Sequence, residues 1–296
     1  MFDLSRPRRS VLYMPGSNQR ALHKASELAA DALILDLEDA VAPGEKLTAR
    51  ALVEETLATR PYGKREVAIR INGLDTEWGM EDLKMACRVG PDAILIPKVQ
   101  SAPMVEEIER FMLEWDAPNH TYIWAMIETP LGVLHAEQIA TSTPRLGCFV
   151  IGPNDLVKEL GAEQTEDRTP LIAALGQCVL AAKAYGVAII DGVYNEFRNE
   201  AGFRARCLQS RQMGFDGITL IHPNQIAPSN DAFRPSAKAI DLAKRHIQAF
   251  DDATAKGEGV AVVDGRIVEN LHVAAAQKLL ASANTIRALE AGLTQE

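Results

Sequence analysis

Eight short apolar runs recur along the chain, and each is followed by a longer stretch with apolar residues at helical spacing. The runs are residues 10–14, 32–37, 66–71, 93–99, 122–127, 148–151, 187–193 and 217–221. They are rich in Val, Ile and Leu and show little polar alternation, the pattern of strands buried on both faces as in a parallel sheet. The stretches 18–30, 47–59, 76–89, 104–115, 133–140, 170–185 and 200–213 read as helices, and Gly90, Gly186 and Gly214 stand where a helix C-cap glycine belongs. Strand–helix alternation repeated eight times predicts an α/β fold, a (β/α)8 TIM barrel. The competing open doubly wound sheet lacks its GxGxxG signature after the first run.

The chain has 296 residues, which fits one barrel of about 250 residues plus an appendage. After the eighth run, Pro223, Pro228 and Pro235 mark a loop; a helix over 236–256, a short apolar piece at 260–263, a turn at Asp264-Gly265 and a last helix near 273–289 follow. Residues 1–230 therefore read as a catalytic barrel and residues 231–296 as a C-terminal helical cap or lid, placed on this barrel or on a neighbouring subunit. A composition of 47% hydrophobic and 24% charged residues supplies a large core and excludes extensive disorder. The net charge of −9 leaves no global footprint for nucleic acid, so an anionic ligand has to be held by local Arg and Lys. Cys87, Cys148, Cys178 and Cys207 form no CxxC and read as buried inert thiols, in keeping with a cytoplasmic protein. The first residues carry charge without an apolar run behind it, and the longest charge-free stretch is too short to span a bilayer.

In such a barrel the reactive groups lie at the C-terminal ends of the strands. Here those ends carry Asp36-Leu37-Glu38-Asp39, Arg70-Ile71-Asn72, Pro97-Lys98, Glu128-Thr129-Pro130, Gly152-Pro153-Asn154-Asp155, Asp191-Gly192 and His222-Pro223, while the strand bodies are apolar. Glu128 and Asp155 end adjacent strands, and two carboxylates with open positions suit Mg²⁺; each also fits a plainer role as a helix cap. Arg70, flanked by Ile69 and Ile71, needs an anionic partner. Asp36, Glu38 and Asp39 either pair with it structurally or position it to grip a substrate carboxylate. Lys98 fits a Schiff-base lysine less well than an ion-paired one, and His222 fits a base no better than a structural histidine. Arg20 and Lys24, on a helix opening near Asn18, mark a further anion site, with Arg8 and Arg9 adding positive charge nearby.

The segments RSVLYMPGSN, DLEDAVAPGEKLTAR, AIRINGLDTEWGMEDL, IPKV, AMIETPLGV, IGPNDLVKELG, AIIDGVYNEF and GFDGITLIHPNQI occur in that order from residue 9 to residue 226. Together they resemble the citrate lyase β-subunit-like family, which includes malyl-CoA and citramalyl-CoA lyases, within the HpcH/HpaI aldolase superfamily. The resemblance implies Mg²⁺-dependent, reversible carbon–carbon cleavage of a 3-hydroxyacyl-CoA to an oxoacid and an acyl-CoA, in a trimeric or hexameric homo-oligomer. It makes Glu128 and Asp155 the metal ligands, and Arg70 the group that binds the oxoacid carboxylate. The backbone around Gly152, Asn154 and Asp155 lines the same pocket. Glu38 and Asp39 orient Arg70 and metal-bound water, and Arg20 and Lys24 become candidate partners of the CoA phosphates.

One segment departs from the pattern. Where many relatives carry a C-terminal DGKMID-like segment whose last Asp is the acid/base, this chain has Asp264-Gly265-Arg266-Ile267-Val268-Glu269. Glu269 is then the candidate proton donor, longer by one methylene, and Asp264 serves the turn. Alternatives within the resemblance are a citryl-thioester lyase subunit and a CoA-independent 4-hydroxy-2-oxoacid aldolase; outside it stands a non-catalytic barrel used for binding or assembly.

Overall fold

The computed structural model describes residues 2–293. Eight parallel strands close into a barrel in sequence order: β1 (Ser10–Pro15), β2 (Ala32–Asp36), β3 (Glu66–Arg70), β4 (Ala93–Ile96), β5 (Tyr122–Ile127), β6 (Leu146–Ile151), β7 (Ala188–Asp191) and β8 (Gly217–Leu220). β1 pairs with β2 on one side and with β8 on the other, which completes the ring. The runs lack polar alternation because both faces are buried. Val11, Ile34, Ala68, Leu95, Trp124, Val150 and Ile190 fill the barrel interior, and their neighbours Leu12, Leu33, Leu35, Ile69 and Ile94 pack outward among the helices. Trp124 shares this interior cluster with the small residues Ala68, Ala93 and Ala188.

The helices of this unit are α1 (Gln19–Lys24), α2 (Lys46–Ala58), α3 (Gly79–Val89), α4 (Ala102–Glu114), α5 (Pro130–Leu134), α6 (Ala136–Ala140), α7 (Pro153–Leu160), α8 (Ile172–Tyr185), α9 (Glu200–Met213) and α10 (Ile226–Phe233). Gly90, Gly186 and Gly214 end α3, α8 and α9 in the left-handed conformation, with φ of 60°, 69° and 100°. Two local expectations are corrected. The segment around Pro228 is not a loop but α10, because a proline in the first turn gives up only an amide that has no helical partner. Asp155 is not a cap: α7 starts at Pro153 with Gly152 as its N-cap, so Asp155 sits inside the first turn and leaves its carboxylate free of the backbone role. All four cysteines are buried free thiols.

The chain divides into two compact units, the barrel over 2–4 and 8–233, and a second unit whose described residues are 5–7 and 234–293. The second unit consists of α11 (Ala237–Ala255), a hairpin of β9 (Ala261–Val263) and β10 (Arg266–Val268), and α12 (Asn270–Leu293). It has its own apolar cluster of Ala253, Ala261, Val263, Val268 and Val273, with Leu242 and Phe250 against it. Asp264 and Gly265 make the hairpin turn at φ of 51° and 74°, the pair of positive values that a two-residue turn between right-twisted strands needs. Among the described residues no helix is long and apolar enough to cross a membrane.

Candidate active site

Arg70 ends β3 beside Asp36, which ends β2 at the same level of the ladder. Its Nε donates to Asp36 Oδ1 at 2.7 Å and one Nη to Asp36 Oδ2 at 2.6 Å, a fork that fixes the plane of the guanidinium. The other Nη lies 2.8 Å from Glu38 Oε2, out of hydrogen-bond alignment, and 3.7 Å from Asp39 Oδ2. The Tyr13 ring lies 4.8 Å under the guanidinium. Of the five N–H groups of an arginine, two are thus committed to Asp36, and the residue borders a cavity at the C-terminal rim.

That cavity, of about 290 Å³, is lined among others by Asp36, Asp39, Arg70, Glu128, Gly152, Asn154 and Asp155, with Tyr13, Met126, Ile151, Asn195, Thr219 and Ile221 also in its wall. Glu128 follows β5 directly and is 1% exposed; its Oε1 accepts the backbone N–H of Lys98 at 2.8 Å. Its Oε2 faces Gly152, where a Cβ would stand within 2.3 Å of it. The rim loops thereby bring five carboxylates, Asp36, Glu38, Asp39, Glu128 and Asp155, around Arg70 and Lys98.

The electrostatics follow from burial. Desolvation pushes the Glu128 carboxyl up to about 7, and the neighbouring charges of Glu38 and Asp155 push the same way, against the Lys98 amide and Arg70. Burial likewise raises Glu38 above the ordinary carboxylate range although Arg70 opposes it. Lys98 is raised in spite of its partial burial, because Glu38, Glu128, Asp155 and Asp39 surround it. A divalent cation would offset this crowding. The donor set fits one: Glu128 and Asp155 both line the cavity, and among the described residues no three His, Cys, Asp or Glu gather into a closed metal cage. Hard cations that keep several water or substrate oxygens prefer such an open arrangement.

Of the residues singled out in the sequence, Arg70, Asp39, Glu128, Gly152, Asn154 and Asp155 meet in this cavity, and Glu38 joins them through Arg70 and Lys98. Arg20 and Lys24 are exposed on α1 and do not line it. Glu269 belongs to the second unit, exposed at the start of α12, where its backbone N–H donates to His272 Nδ1 at 3.0 Å. His222 caps the turn after β8 by accepting the Asn224 amide, and it stacks on Phe197 at 4.6 Å. The expectation that Arg8 and Arg9 enrich the rim is corrected: they precede β1, are buried at the opposite end of the barrel, and pair with Glu66 and Asp31. Sequence reasoning missed Tyr13, Asn195 and Thr219. The first was findable, since Tyr13 shares the inward register of Val11 on β1.

The HpcH/HpaI aldolase/citrate lyase family model matches residues 9–223. The chain belongs to this family. It is 53% identical to a (3S)-malyl-CoA thioesterase of Cereibacter sphaeroides, over 98% of this chain and all of the relative. It is 36% identical to citrate lyase subunit beta of Escherichia coli, over 94% of each. Among solved structures, CitE from Mycobacterium tuberculosis in complex with magnesium, acetoacetate and coenzyme A matches with a TM-score of 0.77 at 27% identity, covering 95% of this chain and all of that one. RipC from Yersinia pestis matches with a TM-score of 0.69 at 30% identity, over 80% of this chain. The HpcH/HpaI barrel is therefore the scaffold on which these rim carboxylates are displayed.

Proposed function

We propose that the protein is a Mg²⁺-dependent enzyme acting on malyl-type CoA thioesters, and that it hydrolyses them to malate and free CoA. The observation that carries this reading is the cavity that gathers Arg70, Glu128 and Asp155 in a chain 53% identical, along its whole length, to a malyl-CoA thioesterase. The malyl group offers a carboxylate with an adjacent hydroxyl at one end and a thioester at the other. Glu128 and Asp155 would hold Mg²⁺, which when bound supplies Lewis acidity at the substrate oxygens.

The remaining roles fall to the chain itself. Arg70, fixed by Asp36, presents its uncommitted N–H groups to the substrate carboxylate and sets the orientation of the acyl chain. Met126, Ile151 and Ile221 form the apolar wall along the methylene. Glu38 and Asp39, 2.8 and 3.7 Å from Arg70, help hold its guanidinium in place. Gly152 and Asn154 bring backbone and amide groups to the acyl end, while Arg20 and Lys24 take the CoA phosphates at the surface.

The second reading is carbon–carbon cleavage to an oxoacid and an acyl-CoA, favoured by the 36% identity to citrate lyase subunit beta. In that case the enolate takes its proton from Glu269 of another copy in a homo-oligomer. A single incubation separates the two. With (3S)-malyl-CoA and Mg²⁺, hydrolysis releases one free thiol and one malate per turnover; cleavage releases glyoxylate and acetyl-CoA with no free thiol. Glyoxylate without thiol would replace the first reading by the second, and neither product would refute both.

A further inference from the structure

A second charged cluster lies behind α7, outside the reaction cavity. Arg168 is 3% exposed, and one Nη donates to both oxygens of the buried Asp191, at 2.8 and 2.6 Å. Its Nε donates to Gln209 Oε1 at 2.9 Å. Its other Nη is buried and has no hydrogen-bond partner. The residue is held at φ 58°, a conformation that a long L side chain seldom takes, so this placement runs against local preference.

Asp191 cannot serve the orphaned group, because its carboxylate already accepts Ser210 Oγ and the Gly192 amide besides Arg168. Arg206, half-buried, lines the same small pocket together with Arg168, Thr165 and Val157. The pocket holds about 20 Å³, room for one monatomic ion or one water. Burial and the nearby Arg168 charge lower the Arg206 guanidinium from its ordinary value. Two guanidiniums thus face one buried carboxylate. The only acid lining the pocket among the described residues is the exposed Glu163, while Thr165 spends its hydroxyl on Asp167.

We infer that the pocket between Arg168 and Arg206 is a binding site for a small monovalent inorganic anion of the chloride class. A buried N–H of a charged group left unpaired carries a desolvation cost that a bound anion removes. The pocket is too small for phosphate, and the site takes no part in the reaction proposed above. It touches Pro153 and Val157 on α7, so its occupant ties the 163–168 segment to the helix that carries Asp155.

The test uses the intact protein. Crystals soaked in bromide are expected to give an anomalous peak between the Arg168 and Arg206 guanidiniums. At constant ionic strength, replacing gluconate by chloride is expected to raise the melting temperature by roughly 2–4 °C, the scale of one added favourable contact in a domain of this size. Arg206→Gln, which leaves the Arg168–Asp191 pair intact, is expected to lose that increment; Glu163→Gln is expected to keep it. Absence of the peak, a peak without any chloride-dependent shift, an unchanged shift in R206Q, or a carboxylate of Glu163 occupying the pocket would each overturn the inference.

Discussion

The two ends of the barrel use the same chemistry to opposite effect. At the N-terminal end, Arg9 forks onto Asp31 with both contacts at 2.8 Å, and the Arg9 amide adds a third at 2.9 Å to the same carboxylate. Arg8 forks onto Glu66 at 2.6 and 2.8 Å and reaches the Asp3 carbonyl with its remaining Nη. At the C-terminal end, Arg70 forks onto Asp36, but Glu38 is out of alignment, the Tyr13 hydroxyl is buried without a partner, and burial pushes Glu128 upward. One end is closed electrostatically. The other leaves donors, acceptors and like charges unresolved, the condition of a surface that awaits a ligand.

Breaking the closed end has the largest expected effect. Arg9→Ala strands Asp31, which is fully buried, and is expected to cost about 3–5 kcal/mol in a denaturant melt. A loss below about 1 kcal/mol would show that the base is not the structural end. At the rim, Glu128→Gln and Asp155→Asn are each expected to lower turnover of the CoA ester by at least about 10²-fold while leaving the melting temperature unchanged or higher. A fall in melting temperature with activity retained would reverse the assignment of the two ends.

A pH series sharpens the contrast. Because folding raises Glu128 from 4.5 to about 7, its contribution is fully present below the unfolded value and is lost as pH rises through about 7. The metal-free protein is expected to lose stability across that window, by about 3 kcal/mol at most. Mg²⁺ is expected to raise the melting temperature more above about pH 7.5 than below about pH 6, and Glu128→Gln to flatten both curves. Equal Mg²⁺ responses on the two sides of the window would argue against Glu128 as the group that meets the cation. The smallest effect is expected at Arg20→Ala: stability within about 0.5 kcal/mol, since the side chain is exposed, and a raised KM for the CoA ester with turnover unchanged. An unchanged KM would remove Arg20 from the CoA contacts.

The barrel was legible because its strands are buried on both faces, so their runs stay apolar, as over residues 32–35 and at Tyr122–Ile127. The rim was legible because an arginine between two isoleucines, and carboxylates ending apolar strands, have few uses in a core. What stayed hidden depends on partners far away in sequence. Nothing near Arg8 announces Glu66, 58 positions on, so a base-clamping residue looked like spare positive charge. Arg168 and Arg206 meet only once α7, β7 and α9 are assembled, and Asp155 looked like a cap because an Asp just before an apolar helical stretch commonly is one, whereas its helix already starts two residues earlier at Pro153.

Gly152 passes so close to Glu128 that any side chain there would displace the carboxylate. The reach of that acid is therefore dimensioned by an atom that is missing from its neighbour. Enlarging position 152 even to alanine should evict Glu128 from its berth, and shortening residue 128 to aspartate should open a gap that a larger residue at 152 refills only by blocking the chamber. The two positions form a lock in which neither half can be re-cut alone, so variation that retunes this chamber has to enter elsewhere along its wall.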